Sequence, residues 1–191
     1  AKPRALPVST TALGSDRRVN ARFDDACKAV AGNLPVLITG PTGSGKEVFA
    51  KALHAHCCPQ APFVAINCAA LPESLIEAEL FGYTEGSFTG ARKGGAMGLL
   101  ESAGDGILLL DEIGDMPLSL QSRLLRALQE RQITRVGSTR TVALKAHVIA
   151  ATHKDLASLV SSGGFREDLF YRLDGLRVAL PSLEERLDKA Q

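Results

Sequence analysis

The sequence has few aromatic residues: they make up 5% of its 191 residues, and tryptophan is absent. Cysteine is scarce too, with four residues, which excludes a disulfide scaffold and predicts a reduced, cytosolic protein. Lysine plus arginine (22) nearly balances aspartate plus glutamate (21), so no global charge favours nucleic acid or an anionic membrane as partner. No apolar run approaches the roughly 20 residues of a membrane helix. These absences favour one globular domain.

The stretch that organises the chain is an apolar segment, 36–39, followed by a glycine-rich turn and a helix-forming segment, 46–56. Its spacing, Gly40-x-x-x-x-Gly45-Lys46, fits the P-loop pattern, in which backbone N–H groups, a helix N-terminus and a lysine bind phosphates. Glu47 stands where Ser or Thr usually meets Mg²⁺. The alternative is a structural turn with an exposed lysine. The predicted ATP-binding residues are Gly40, Pro41, Thr42, Gly43, Ser44, Gly45, Lys46 and Glu47.

A second motif is the tandem carboxylate pair that ends the apolar run 106–110. Asp111, at the carboxyl end of a buried strand, is predicted to hold Mg²⁺. Glu112 is predicted to orient and deprotonate the attacking water. The alternative is a helix N-terminus with acidic residues in its first turn. Two carboxylates in tandem favour hydrolysis over nucleotide storage.

Polar residues also end two other predicted strands. Thr152 would lie near the γ-phosphate if its strand lies between or beside the strands that carry the two motifs. Asn67 ends a strand as well, and its amide could hydrogen-bond Glu112 and hold it in an unproductive position. Both residues are therefore candidates for the catalytic site.

Two arginines, Arg166 and Arg172, lie six residues apart in a helical segment. Their side chains point about 120° apart on a helix, so they cannot easily serve one phosphate of their own chain. One or both could instead reach the nucleotide of a neighbouring subunit. The alternative is a surface ion pair between Asp168 and Arg172 at i,i+4.

The segment 82–98 has six glycines in seventeen residues and no core periodicity. Within it, Phe88 stands between two glycines, which is typical of a moving loop that presents an apolar tip to another protein. The alternative is a hairpin turn whose phenylalanine folds back onto its own sheet. The predicted partner-binding residues are Gly86, Ser87, Phe88, Thr89, Gly90 and Ala91.

Strands alternate with helices along the chain, which predicts a parallel sheet covered on both faces by helices. The predicted helices are 17–30, 46–56, 72–81, 118–130, 155–161 and 165–173, with strands at 36–39, 63–67, 106–112, 147–152 and 176–180 and a hairpin at 133–136 and 141–144. Residues 1–15 are predicted to be a linker and 16–191 one domain. His54 and His56 would lie on opposite helix faces, which disfavours a shared metal.

The chain resembles the central AAA+ ATPase domain of bacterial sigma-54-dependent transcriptional activators over about residues 17–187. Segment 40–47 is similar to the family's Walker A motif, where a glutamate after the lysine is usual. Segment 86–91 is similar to its GAFTGA loop, with Ser87 replacing alanine, and other P-loop ATPases lack this loop. Further similar segments are 63–71, 79–82 and 165–173, and 90–95 and 174–176 resemble activators of the acetoin-catabolism type.

The resemblance implies an AAA+ core with a five-stranded parallel sheet between helices, an inserted loop, and assembly into an ATP-driven hexameric ring. Through Phe88 and Thr89 the loops would grip sigma-54 and remodel the closed promoter complex. Asp111 would bind Mg²⁺ and Glu112 would be the base. The remaining implied roles are Asn67 as switch partner of the base, Thr152 as sensor I, and Arg166 with Arg172 as fingers acting in trans.

The chain departs from the family in carrying His153, where many members have asparagine. It also ends before the helical lid, the sensor II arginine and any DNA-binding motif, so we expect weak ATP turnover and no direct contact with DNA. The alternative function is a nucleotide-gated adaptor that hydrolyses little ATP. A small-molecule P-loop kinase is disfavoured by Glu47 and by the Asp111-Glu112 pair.

Overall fold

The computed structural model describes residues 16–70, 72–89, 91–182 and 184–185. The predicted linker, 1–15, lies outside the described residues, as does Gly90 of the predicted partner-binding loop. Within the described ranges, no helix has both the length and the apolar content to cross a membrane.

The chain alternates helices and strands in the predicted order. The main-sheet strands are β1 (Val36–Thr39), β2 (Phe63–Asn67), β5 (Ile107–Asp111), β8 (His147–Thr152) and β9 (Leu176–Ala179). The helices are α1 (Arg17–Ala31), α2 (Lys46–Cys57), α3 (Glu73–Phe81), α4 (Leu99–Ser102), α5 (Leu118–Glu130), α6 (Leu156–Ser161) and α7 (Glu167–Leu173), with a 3-10 turn at Ile113–Asp115. Two small hairpins pair β3 (Gly82–Tyr83) with β4 (Ala96–Met97), and β6 (Gln132–Thr134) with β7 (Thr141–Ala143).

The main sheet is parallel, with the strand order β2-β5-β8-β1-β9. Successive side chains of a strand point to opposite faces, so the apolar run of β5 supplies both cores. Ile107 and Leu109 pack with α1 and α2 on one face, whereas Leu108 and Leu110 pack with α3, α5 and α7 on the other. The predicted five-stranded sheet between two helical layers is confirmed.

Helix α1 begins as its sequence predicts. The Asp16 carboxylate accepts a hydrogen bond from the backbone N–H of Arg18, which satisfies one of the free donors of the first turn. Val19, Phe23 and Ala26 then form a buried stripe against α2. This helix therefore covers one face of the sheet beside the predicted P-loop.

The segment 82–98 contains the β3–β4 hairpin and leads directly into α4. The two backbones approach so closely that a Cβ on Gly98 would lie 2.4 Å from the backbone nitrogen of Gly82. The two strands can approach this closely only because glycines, which have no side chain, stand at the contact. Glycines add no apolar side chains, so this pairing produces no apolar periodicity in the sequence. The structure therefore contains the kind of hairpin that the sequence left open as an alternative for this segment.

Candidate functional site

The glycine-rich turn links β1 to α2, as the P-loop pattern predicts. Gly43 and Gly45 have φ values of +79° and +88°, and a Cβ at either position would face open space. The turn forms one wall of an open cavity of about 370 Å³. Residues that line this cavity are Thr42, Gly43, Gly45, Lys46, Glu47, Val48, Asn67, Asp111 and Glu112.

Lys46 is a buried residue that lines this cavity. Its Nζ donates to the backbone oxygens of Gly40 (3.0 Å) and Pro41 (3.2 Å) and lies 3.8 Å from Glu112 Oε1. The side chain of Ser44 lies in the same turn, and its buried Oγ has no hydrogen-bond partner among the described residues. A lysine held only by carbonyl oxygens and a carboxylate, next to an unpartnered hydroxyl, fits the phosphates of a nucleotide.

Asp111 and Glu112 lie opposite the turn, at the carboxyl end of β5. Asp111 Oδ1 accepts from the Glu112 backbone N–H (3.0 Å), and burial raises the pKa of Asp111 above its ordinary value. A bound cation would favour the charged form of this carboxylate. The described residues contain no group of three or more His, Cys, Asp or Glu side chains that could hold a metal. Asp111 therefore fits Mg²⁺ if phosphate oxygens and water complete the coordination shell.

The Glu112 carboxylate is held by a residue that the sequence did not suggest for this role. Glu112 Oε2 lies 2.7 Å from His153 Nδ1 and accepts from the His153 backbone N–H at 3.3 Å. Asn67 instead accepts from the Ala69 backbone N–H, so the predicted hydrogen bond between Asn67 and Glu112 is not formed among the described residues. The switch role of Asn67 stays a prediction. The adjacency of β5 and β8 brings His153 to Glu112, and no local sequence signal marks it.

Thr152 lies where the prediction required. Its strand, β8, lies between β5 and β1, which carry the two motifs. The side chain is fully buried, and its Oγ1 accepts from the Lys154 backbone N–H at 3.0 Å. Its predicted role as sensor I stays a prediction.

Arg166 and Arg172 lie at the two ends of α7. Arg166 pairs with Asp168 at 2.7 Å, and Arg172 donates to the backbone oxygen of Leu128 at 2.8 Å. The alternative of an ion pair between Asp168 and Arg172 was wrong, because Arg166 precedes the helix and folds over its first turn onto Asp168. Neither arginine lines the P-loop cavity of its own chain.

The predicted partner-binding loop is fixed at its base to the β6–β7 hairpin. The backbone oxygen of Val136 accepts from the Thr84 backbone N–H at 3.0 Å and from Ser87 Oγ at 2.9 Å. The same hydroxyl proton is shared with the Thr84 backbone oxygen, which lies 2.6 Å from Ser87 Oγ. Gly137 packs against this network so closely that a Cβ there would lie 2.3 Å from Ser87 Oγ. The hydroxyl that distinguishes Ser87 from alanine therefore joins the loop to the hairpin.

Phe88 combines features of both interpretations of the loop. Its ring packs edge-on against Tyr83 of β3, with centroids 4.9 Å apart, but 43% of the residue stays exposed. It is thus held in place by its own hairpin without being sealed in the core. Of the other predicted loop residues, Gly86 has a φ of +76°, and Ala91 donates from its backbone to Phe88.

Replacing Ser87 with alanine should loosen the base of this loop. The change removes the hydroxyl whose single proton faces the Val136 and Thr84 backbone oxygens, with an expected loss of about 1 kcal/mol of local stability. We expect amide exchange at positions 87 and 88 to become several-fold faster, measured by NMR. The control is Ser102→Ala, which removes an exposed hydroxyl bond within α4. Unchanged exchange at both loop positions would contradict the role of Ser87.

Residues 12–179 match the protein family described as "Sigma-54 interaction domain". The chain belongs to this family. The acetoin catabolism regulatory protein of Cupriavidus necator is 51% identical over 186 residues, which are 96% of this chain and 28% of that protein. The regulatory protein AtoC of Escherichia coli is 50% identical over 163 residues, which are 85% of this chain and 35% of that protein. The resemblance to sigma-54-dependent activators is confirmed.

Solved structures give the same result for the fold of this sigma-54 interaction domain. The crystal structure of NtrX from Brucella abortus in complex with ATP matches with a TM-score of 0.78 at 39% identity, and covers 91% of this chain and 39% of that chain. The AAA+ core predicted for the chain is therefore confirmed. The chain spans well under half the length of these relatives, between 28% and 39%.

Proposed function

We propose that this sigma-54 interaction domain hydrolyses ATP and uses the cycle to remodel the closed RNA polymerase–promoter complex into the open one. The observation that supports this most is the convergence of Lys46, Asp111 and Glu112 on a single cavity, although they are remote in the chain. The ATP complex of NtrX, a structural relative, supports a nucleotide as the ligand of this cavity. ATP and Mg²⁺ are the proposed ligands, with Gly40 to Glu47 around the phosphates.

Each residue of the site has a distinct role in this proposal. Lys46 exchanges its carbonyl contacts for the β- and γ-phosphates, where its charge is more strongly stabilised. Mg²⁺, when bound, neutralises charge on the phosphates, and Asp111 would hold it. Glu112 takes a proton from the attacking water, and His153 with Lys46 fixes the direction of its carboxylate.

The partner in this proposal is the sigma-54 factor, and Phe88 with Thr89 provides the contact. The described loop presents an aromatic side chain that is 43% exposed on a base fixed by hydrogen bonds. Such a rigid aromatic anchor loses little entropy on binding. The near-zero net charge of the chain gives no support for direct DNA binding by this segment.

A second candidate function is a nucleotide-gated adaptor with little hydrolysis. It is favoured by one observation: both oxygens of the Glu112 carboxylate already face cations or donors, Oε1 toward Lys46 and Oε2 toward His153. Turnover against protein concentration separates the two functions. A homo-oligomer in which arginines act in trans should show a rate that rises faster than linearly, whereas an adaptor should show a low rate at every concentration.

Replacing Phe88 with alanine should weaken binding of sigma-54 and spare ATP turnover. Removal of a central aromatic anchor costs at least about 2 kcal/mol, or roughly 30-fold in affinity. The measurement is the affinity for sigma-54 in the presence of an ATP transition-state mimic, beside the rate of phosphate release. The control is Met97→Ala, which removes an exposed apolar side chain from the same hairpin. Equal loss of turnover and binding in Phe88→Ala would count against the loop as the contact.

A further inference from the structure

A second cavity, of about 130 Å³, lies at the opposite end of the sheet from the P-loop. It is bounded by the turn before β1, the start of β8 and the C-terminal ends of α5 and α7. Residues that line it are Asn33, Leu34, Pro35, Leu128, Arg131, His147, Val148 and Arg172. Three of these are basic and none is acidic, although the chain as a whole has a net charge of only +1.

The two arginines of this cavity lack a carboxylate partner in the part of the chain that the structure describes. Arg131 donates to the backbone oxygens of Ala146 (3.3 Å) and Lys145 (3.1 Å), and Arg172 donates to that of Leu128 (2.8 Å). Each guanidinium has five N–H groups, so donors remain on both. Burial, and then the charge of Arg172, lowers the pKa of Arg131. The positive charges therefore repel each other across the cavity without compensation.

The backbone of Arg131 adds an independent observation. Its φ is +52° and its ψ is +36°, in the left-handed region, where it ends helix α5. Glycine is the usual residue at such a helix end, because a side chain is strained there. Strained residues of this kind concentrate at binding sites, where the surrounding structure holds them for function.

His147 completes the wall of the cavity. The residue is only 8% exposed, and its Nε2 is buried without a hydrogen-bond partner among the described residues. Burial, and then Arg131, lowers the pKa of His147 to about 4, so the ring is neutral at pH 7. A neutral ring can carry its proton on Nε2 and donate it to an acceptor.

We propose that Arg131, Arg172 and His147 form a binding site for a phosphate-type oxyanion. Guanidinium groups bind such anions through paired N–H donors, and a bound anion would remove the repulsion between the two arginines. The cavity of about 130 Å³ has room for a tetrahedral oxyanion, whereas drug-sized ligands need roughly 300 Å³ or more. The anion is either free inorganic phosphate or a phosphate of a nucleotide bound by a neighbouring copy. The second source rests on the proposed function.

The test follows the imidazole ¹⁵N–¹H signals of the four histidines during titration with inorganic phosphate at constant ionic strength. We expect a saturable shift of the His147 signal, which His147→Gln assigns. His153 contacts Glu112 and therefore reports phosphate at the P-loop separately. The His147 shift should vanish in Arg131→Gln and persist in Arg126→Gln, a control on the exposed face of the same helix. The absence of a saturable shift, the same shift with chloride, or its persistence in Arg131→Gln would overturn the proposal.

A second variant, Arg131→Gly, controls for the case in which Arg131→Gln fails to fold. Glycine adopts the left-handed backbone conformation of this position without strain. Arg131→Gly should also lose the His147 shift while its melting temperature stays close to that of the wild type. The kcat of Arg131→Gly for ATP hydrolysis, measured at protein concentrations where the chain assembles, distinguishes the two sources of the anion. A tenfold or larger fall of kcat in Arg131→Gly, with KM unchanged, identifies the neighbour's nucleotide, and an unchanged kcat identifies free phosphate. The NMR result does not depend on turnover, so failure of the proposed function leaves it interpretable.

Discussion

Glu112→Gln is expected to lower kcat for ATP hydrolysis by about 10²–10⁴-fold and to leave ATP affinity near that of the wild type. The amide keeps the size of the side chain and an oxygen for the His153 backbone N–H, but it cannot accept the proton of water. Loss of the charge also frees Lys46, 3.8 Å from Glu112 Oε1, to bind phosphate. The measurements are phosphate release and equilibrium binding of a fluorescent ATP analogue.

The control for this variant is Glu130→Gln, which removes an exposed carboxylate that pairs with Arg126 at the end of α5. It should retain both turnover and binding. If Glu112→Gln kept turnover within about twofold of the wild type, the general-base role would be contradicted. A parallel loss of ATP affinity would instead assign Glu112 to nucleotide binding.

The sheet could be predicted from the sequence because its central strands are apolar on both faces. The runs of β5 and β8 are buried along their whole lengths apart from Asp111, and such continuous runs occur in parallel sheets covered by helices. The carboxyl-end position of Asn67, Asp111 and Thr152 then follows from the parallel direction of the strands. The sequence pattern was therefore sufficient to predict that these three residues lie at the same edge of the sheet.

The contacts that set the state of the site could not be predicted. The pairing of Glu112 with His153 joins residues 41 positions apart and depends on the neighbouring positions of β5 and β8. The attachment of Ser87 to the Val136 backbone oxygen likewise depends on how two hairpins meet. The sequence does not show which backbone carbonyl or neighbouring strand a side chain will meet. Side-chain roles that depend on such contacts could therefore be identified only from the structure.

Arg172→Ala is expected to lower kcat in the assembled protein by about 10³–10⁵-fold, which corresponds to roughly 4–7 kcal/mol of barrier. The reason is that Arg172 lies outside the P-loop cavity of its own chain, so in the proposed function it acts on the nucleotide of a neighbouring copy. ATP affinity at low protein concentration should stay unchanged. The measurement is turnover against concentration, with Arg126→Ala as the exposed arginine control.

A mixing experiment separates action in trans from a structural role, since Arg172 also donates to the Leu128 backbone oxygen at the end of α5. Arg172→Ala keeps an intact base, and Glu112→Gln keeps an intact arginine. If each arginine completes the site of the next copy, a mixture of the two inactive variants contains some interfaces with both groups and regains turnover. A variant that merely disturbed α5 and α7 would regain none. Absence of recovery at every ratio, with both variants folded and assembled, would exclude Arg172 as a residue acting in trans.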